Sequence, residues 1–273
     1  MFHRYLAAVI ALSFICTSGF VGCTSKSGAG ASGGQGAESR RLRILVVNDD
    51  GFDAEGIDAI VRALLLDEDN EVTVCAPDRN RSGTSDDTDC GTLSTVEEVT
   101  ASGYPVTAID GCPADAVNHA LANLYRLGEE PHLVISGINS GQNVSQLVAG
   151  LSGTIGAAAT AARSGVPALA ASQGHFHPGS MFDYAAGTEA VLTWLADHRD
   201  VLRRRTESPV DMTSMNIPSC DAGSVRGMRL VPLAEIPTGF VDPPNCESTL
   251  EDPADDIEAL NNGFVSQSSI LLD

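Results

Sequence analysis

Short apolar runs without period-two alternation, each stopping at a polar cluster or a proline, constrain this chain more than any other feature. LRILVV begins at Leu42 and stops at Asn48-Asp49-Asp50-Gly51. Such a run reads as a strand buried on both faces, followed by a loop. GIDAIVRALLLD (Gly56–Asp67) then carries helical spacing through Ile57, Ile60, Val61, Leu64 and Leu65. EVTVCAPD (Glu71–Asp78) is a second strand, ended by Pro77 and followed by the polar loop RNRSGTSDDTDCG. VEEVTAS and PVTAID read as further strands. Pro113 opens a helix through Tyr125, since proline suits a first helical turn. HLVISGIN (His132–Asn139) is another buried strand. Ser152 caps a helix that ends at Gly165, with Pro167 just beyond. VPALAAS is the next strand and Phe182 to His198 the next helix.

Strands of this kind alternating with helices predict an α/β fold: a mostly parallel sheet with helices on both faces, Rossmann-like in plan. After Asp200 the pattern weakens. MTSMNIP and SVRGMRLVPL read as strands, Pro237 to Asp256 as loop, and Gly263–Leu272 as a final strand. A smaller irregular C-terminal extension is therefore expected. There is no internal repeat.

In an open parallel sheet, ligands bind beyond the carboxyl ends of the strands. Three polar clusters sit at such ends: Asn48-Asp49-Asp50, Asp78 through Ser82, and Ser136 through Asn143. Parallel geometry would bring them to one rim. Adjacent carboxylates repel unless a proton or cation separates them. Asp49-Asp50 therefore points to a hard divalent cation, and Asp, Ser and Asn oxygens suit magnesium, manganese or calcium better than zinc. Taken alone, Asp-Asp-Gly is also an ordinary turn and SGINSGQN an ordinary tight loop. Ser152-Gly153-Thr154 opens a helix, where free N–H groups and the dipole favour an anion, though plain N-capping explains the serine equally. Asp115, in the first turn of the helix at Pro113, is accounted for by dipole compensation.

Other chemistries lack their residues. No G-x-S-x-G elbow, P-loop or G-x-G-x-x-G is present. His175-x-His177 is the single metal-like histidine spacing and reads as a rim loop. Acids outnumber bases 36 to 16, for a net charge of −20. That disfavours a nucleic-acid polymer, which needs clustered Lys and Arg, but not a mononucleotide held at one local site.

The N-terminus carries a separate signal. His3 and Arg4 precede an apolar run from Tyr5 to about Cys16, and Phe20-Val21-Gly22-Cys23 follows. This is the order of a signal peptide, with a run too short for a membrane span of ~20 residues. Phe-Val-Gly-Cys resembles the bacterial lipobox, with Phe20 in place of the usual Leu; an ordinary secretory peptide cut nearby is the alternative. The expected division is residues 1–22 as leader, 23–41 as lipidated Cys23 and a Gly/Ser-rich tether, and 42–273 as the catalytic domain. The protein would then be exported and held at the cell surface or in the periplasm by its lipid anchor only. Cys90 and Cys112 flank the extended region beside the clusters, and Cys220 and Cys246 flank a turn-rich stretch. The expected pairings are 90–112 and 220–246, with Cys75 free and buried in a strand, although spacing alone does not fix connectivity.

RILVVNDDG, APDRNRSG, GCPADAVNHAL, SGINSGQN and SGTIGAA occur in the order and approximate spacing of the SurE family, the survival-protein 5′/3′-nucleotidases, which this chain resembles strongly from Arg43 to Ser172. The likeness returns more weakly in MNIP (Met215–Pro218) and near the C-terminus. It implies a SurE-like fold and metal-dependent hydrolysis of nucleoside 5′- or 3′-monophosphates to nucleoside and phosphate, with Mg²⁺ or Mn²⁺ as cofactor. It implies Asp49, Asp50, Ser82 and Asn139 as metal ligands, the two aspartates being the catalytic pair. Asn48, Asn143, Ser152, Gly153 and Thr154 fall at the neighbouring substrate-contacting positions. A homodimer is expected by the same likeness. The sequence departs from the family pattern at Cys112, which stands for a threonine and costs the helix a hydroxyl cap. It departs again at Thr160, at Ser145-Gln146, and in a segment between Leu233 and Asp255 that is short for the family's oligomerisation hairpin. A capture lipoprotein that binds phosphate compounds without turnover is the competing class.

Overall fold

The computed structural model describes residues 41–174, 181–204, 211–239 and 241–272. The leader, Cys23, the tether up to residue 40, and His175 and His177 lie outside the described residues.

Nine strands form one sheet: β1 (Leu42–Val47), β2 (Asn70–Pro77), β3 (Thr95–Val99), β4 (Pro105–Ile109), β5 (Leu133–Ser140), β6 (Ala168–Gln173), β7 (Asp211–Ile217), β8 (Met228–Leu230) and β9 (Val265–Leu271). Their order is β3-β4-β2-β1-β5-β6-β7-β9-β8. The six strands from β4 to β7 are parallel, as the unbroken apolar runs predict. β3 pairs antiparallel with β4, and β9 antiparallel with β7. The helices are α1 (Glu55–Leu64), α2 (Pro113–Asn123), α3 (Ser145–Ala149), α4 (Gly153–Arg163), α5 (Tyr184–Arg204) and α6 (Asp256–Asn261).

β1 shows why the central strands lack alternation. Ile44 and Val46 pack with α1 and α5 on one face, while Leu45 and Val47 pack with α2 and α4 on the other. All four are fully buried, so every position of the strand had to be apolar. The α4 face is filled by Ala157, Ala158, Ala161 and Ala162, whose small side chains let that helix lie close to the sheet. Among the described residues no helix is long and apolar enough to cross a membrane.

The C-terminal part differs in detail from the expectation. Of SVRGMRLVPL only Met228–Leu230 is strand, and β9 returns antiparallel into the main sheet, so the extension shares the sheet instead of standing apart. Cys90–Cys112 and Cys220–Cys246 are bonded, with Cα separations of 5.1 and 5.8 Å, within the usual disulfide range. Cys75 is free and buried, and burial pushes its thiol up to about 12, so it behaves as a small core residue.

Candidate functional site

The chain reverses direction across the sheet at β1, which pairs with β2 on one side and β5 on the other. Such a switch point leaves a crevice beyond the strand ends. The three polar clusters meet there. A cleft of about 230 Å³ is lined by Asp49, Ser82, Asn139, Asn143, Leu151 and Ser152, among others.

β1 delivers Asn48, Asp49 and Asp50. Asn48 is buried, and its Nδ2 donates to Gly51 O at 2.8 Å, closing the turn. Gly51 sits at φ 109°, a conformation only glycine adopts easily. The turn reading of Asn-Asp-Asp-Gly is thus correct, and the turn is what presents the two carboxylates. Asn48 Oδ1 is buried and accepts from no protein donor.

Asp49 is almost fully buried, and its Oδ1 accepts the Thr154 hydroxyl at 2.7 Å. Burial, and then the charge of Asp50, push Asp49 up to about 6, against the Thr154 hydrogen bond. Asp50 is also raised by burial, opposed by hydrogen bonds from the Ser140 N–H at 2.8 Å and Asn80 Nδ2 at 3.2 Å. Two carboxylates both raised by burial, one of them also by its neighbour's charge, are a donor set that a hard cation would relieve.

The loop after β2 contributes Ser82. The Arg81 N–H donates to Asp49 O at 2.7 Å, and the Ser82 N–H to Asn80 Oδ1 at 3.0 Å. Asn80 therefore links Asp50 to the Ser82 backbone. β5 contributes Asn139 through an irregularity: its register against β6 shifts between Ser136 and Asn139, and a bulge of this kind re-aims the side chains that follow. Asn139 Nδ2 donates to Gly141 O at 2.7 Å, which leaves the amide oxygen as its ligand atom. Ser136, grouped with the rim cluster in the sequence, lies inside β5 and is fully buried. Oxygen-bearing Asp49, Ser82 and Asn139 line one crevice, and with the adjoining Asp50 carboxyl they fit a hard divalent cation; the unpartnered Asn48 Oδ1 is a further acceptor next to Asp49 in the chain.

The substrate-side residues divide. Ser152 is the N-cap of α4; its Oγ accepts from the Ile155 N–H at 3.2 Å, keeping its own proton to donate. Gly153 packs on Asp49: a Cβ there would sit 2.9 Å from Asp49 Cβ, so only glycine lets the helix start so close. Thr154 is fully buried, and its one proton already goes to Asp49. Its hydroxyl and its backbone N–H therefore both position Asp49. Asn143 is committed as well. Nδ2 donates to Ser172 Oγ at 2.9 Å and Thr154 Oγ1 at 3.3 Å, and its backbone N–H to Asn216 Oδ1 at 2.7 Å.

Sequence reasoning missed Asn80, Ser140 and Asn216 as supports. Asn216 follows from the same rule as the others, a polar residue near the carboxyl end of a parallel strand. Asn80 and Ser140 lay inside clusters already singled out, and only distances separate them from the ligands beside them. One further grouping is set aside. Cys90, Cys112 and Asp115 bring possible ligand atoms within 4.8 Å of one another. The two sulfurs are bonded to each other, and Asp115 accepts the Cys112 and Asp89 N–H groups at 2.8 and 3.2 Å. That cluster is a staple and not a metal centre. Asp115 accepting from the Cys112 N–H is the carboxylate half of a capping box, the half that does not need the hydroxyl Cys112 lacks.

The family model described as Survival protein SurE matches residues 44–237. A relative called 5′-nucleotidase SurE, from Alkalilimnicola ehrlichii, is 34% identical over 247 residues, 85% of this chain and 90% of its own length. One of the same name from Chloroflexus aggregans is 33% identical over 248 residues, covering 85% and 94%. Among solved structures, the SurE protein of Aquifex aeolicus matches with a TM-score of 0.64 at 24% identity, over 85% of this chain and 94% of that one. That likeness is one of fold.

Proposed function

This chain belongs to the SurE family, and from that premise we propose that it is a phosphomonoesterase that releases phosphate from nucleoside 5′- and 3′-monophosphates with a divalent cation, Mg²⁺ or Mn²⁺. The observation that carries the proposal is buried Asp49 at the switch point, lining one crevice with Ser82 and Asn139, with half-buried Asp50 next to it and bonded to the Ser140 N–H of the same crevice. When bound, a hard cation supplies neutralising charge to phosphoryl oxygens and acidifies water. Asp49, Asp50, Ser82 and Asn139 would hold it.

The chain's own residues do the rest. Thr154 and the Ser140 N–H keep the two carboxylates oriented. Ser152 and the N–H of Gly153 meet the phosphate at the start of α4, where the helix dipole favours negative charge. Water's oxygen joins phosphorus, the P–O ester bond breaks, and the leaving nucleoside oxygen takes up a proton. For a protein of net charge −20, local neutralisation at this crevice decides whether a phosphate dianion enters at all.

The test is phosphate release from nucleoside monophosphates with added Mn²⁺ or Mg²⁺. Wild type should turn over with metal and stop with EDTA, and Asp50→Ala should lose activity while remaining folded. Nucleotide binding without phosphate release under any divalent cation would sink the enzyme and leave a capture lipoprotein.

Three further properties belong to the same proposal. Residues 1–22 are a leader, Cys23 carries lipid, and residues 24–41 are a tether to an exported domain; two disulfides support an oxidising compartment. The protein is a homodimer, for which light scattering should return twice the chain mass and a monomer would count against it. The membrane is met through the anchor only, with no nucleic-acid polymer as partner.

A further inference from the structure

Residues 78–94, between β2 and β3, form neither helix nor strand, yet they bring Asn80, Arg81 and Ser82 to the crevice. Irregular segments of this length are usually functional, and ordering one costs about 1–2 kcal/mol of backbone entropy per residue. Something must hold it. One chain of contacts passes through a disulfide, beside a second set that ties Ser85 and Asp86 to Gly150, Leu151 and Arg163. Cys112 is fully buried at the N-cap of α2, and Cys90 is bonded to it. Cys90 O accepts Arg81 Nη1 at 3.1 Å. Arg81 Nη2 reaches Asp110 at 2.6 Å, just before that N-cap, and the Arg81 N–H holds Asp49 O at 2.7 Å. Ser82 is the next residue. The Asp89 N–H is fastened to Asp115 in the first turn of the same helix.

We infer that the Cys90–Cys112 disulfide is a positioning element of the site: by fixing Cys90 on α2 it holds Arg81 and Ser82 against Asp49, so that cation affinity depends on this bond being formed. The inference rests on the proposal that Asp49, Asp50, Ser82 and Asn139 take a divalent cation. Reduction adds two electrons and two protons, breaks the S–S bond and yields two thiols, while an added dithiol closes to its own disulfide. The loop is then tied to α2 by hydrogen bonds alone. The second disulfide is an internal control. Cys220–Cys246 joins the segment after β7 to the turn-rich segment before α6, away from the crevice, and Cys220 lines a separate groove of about 820 Å³ between α5 and β8–β9.

The experiment is Mn²⁺ binding to the full chain, read from the electron paramagnetic resonance signal of free Mn²⁺, so that it does not depend on turnover. The samples are wild type, Cys90→Ala/Cys112→Ala, and Cys220→Ala/Cys246→Ala before and after reduction by a dithiol. Thermal melts accompany each. Cys90→Ala/Cys112→Ala and the reduced control variant should bind Mn²⁺ roughly tenfold more weakly, the scale on which outer-shell supports act. The oxidised control variant should bind like wild type, and reoxidation should restore what reduction removed. Unchanged affinity in folded Cys90→Ala/Cys112→Ala overturns the inference and leaves the metal site standing. Collapse of the fold on reduction overturns it too, because the bond would then hold the domain and not the site. Wild type that binds no Mn²⁺ overturns both the metal site and the inference.

Discussion

A buried aspartate beside a half-buried one is a poor neighbour until something positive separates them, and this makes their effects on stability and on activity run in opposite directions. Asp49 is pushed up from its ordinary 3.8 to about 6, first by burial and then by the charge of Asp50. A folded-state value above the unfolded one means that the folded chain holds more protons in that window. In metal-free protein, Asp49's contribution to stability is therefore present below pH 4 and lost as pH rises to about 6. Asp50→Asn removes the repulsion and keeps an acceptor for the Ser140 N–H. It should raise the melting temperature of metal-free protein at pH 7, by on the order of 1 kcal/mol of stability. The same variant should show little or no further stabilisation by Mn²⁺. A melt lowered without metal would remove the electrostatic account of the pair. Thr154→Val tests the support beneath it. The lost hydrogen bond ends on a charged group, so about 1.5–3 kcal/mol should go, together with part of the Mn²⁺ affinity, and Thr154→Ser should restore both. Equal affinity in the valine variant would show that Asp49 needs no positioning. At this scale the sequence marked the candidate ligands but not which of their polar groups are already used within the protein. Thr154 and Asn143 are substrate contacts only by the family resemblance, which gives the position of a residue and not the direction of its hydrogens. Only the distances to Asp49 and Ser172 show where their hydrogens go.

Elements near the strand ends were legible wherever they were long. α1, α2, α4 and the parallel strands appear within a few residues of the positions their apolar spacing predicts. α5 runs six residues past His198, to Arg204, because Leu202 gives it one more buried contact. The short elements were not legible. α3 has five residues, too few for a helical period to register. α6 begins at the last residue of the stretch read as loop and was not assigned, although Asp255-Asp256-Ile257-Glu258 carries a capping signal. Asp255 accepts from the Glu258 N–H at 2.8 Å. α6 matters to the site because fully buried Asp256 accepts the Ser145 and Ala234 N–H groups, at 2.7 and 2.9 Å. Ser145 stands at φ 71°, directly after the turn that carries Asn143. Asp256→Ala would orphan two donors and should cost roughly 2–4 kcal/mol, while Asp256→Asn, which keeps an acceptor oxygen, should cost less. Chemical denaturation of the two variants measures the difference. Equal losses would mean that the bracket is held by packing and not by these hydrogen bonds.

Over the whole molecule, the sequence determined the fold class and which polar clusters stand at strand ends. Unbroken apolar strands between helices fit only a sheet covered on both faces, and acids at the strand ends carry a charge that must be met locally. It also carried the leader signal, which the described residues do not reach. Cys23→Ala should move the protein from the membrane fraction to the soluble fraction or stall its processing; an unchanged membrane fraction would remove the anchor. Strand order was beyond the sequence, because backbone pairing is chemically the same for any neighbour. Nothing in LRILVV or HLVISGIN says that β5 lies beside β1 opposite β2, yet that placement opens the crevice. The fate of each polar hydrogen was likewise decided in three dimensions. A hydroxyl or amide has few donors, and which of them remain for a ligand depends on neighbours up to 105 residues away, as between Asp49 and Thr154. Residue type sets what a side chain can do; close packing at the end of β1 decides which of those options is left.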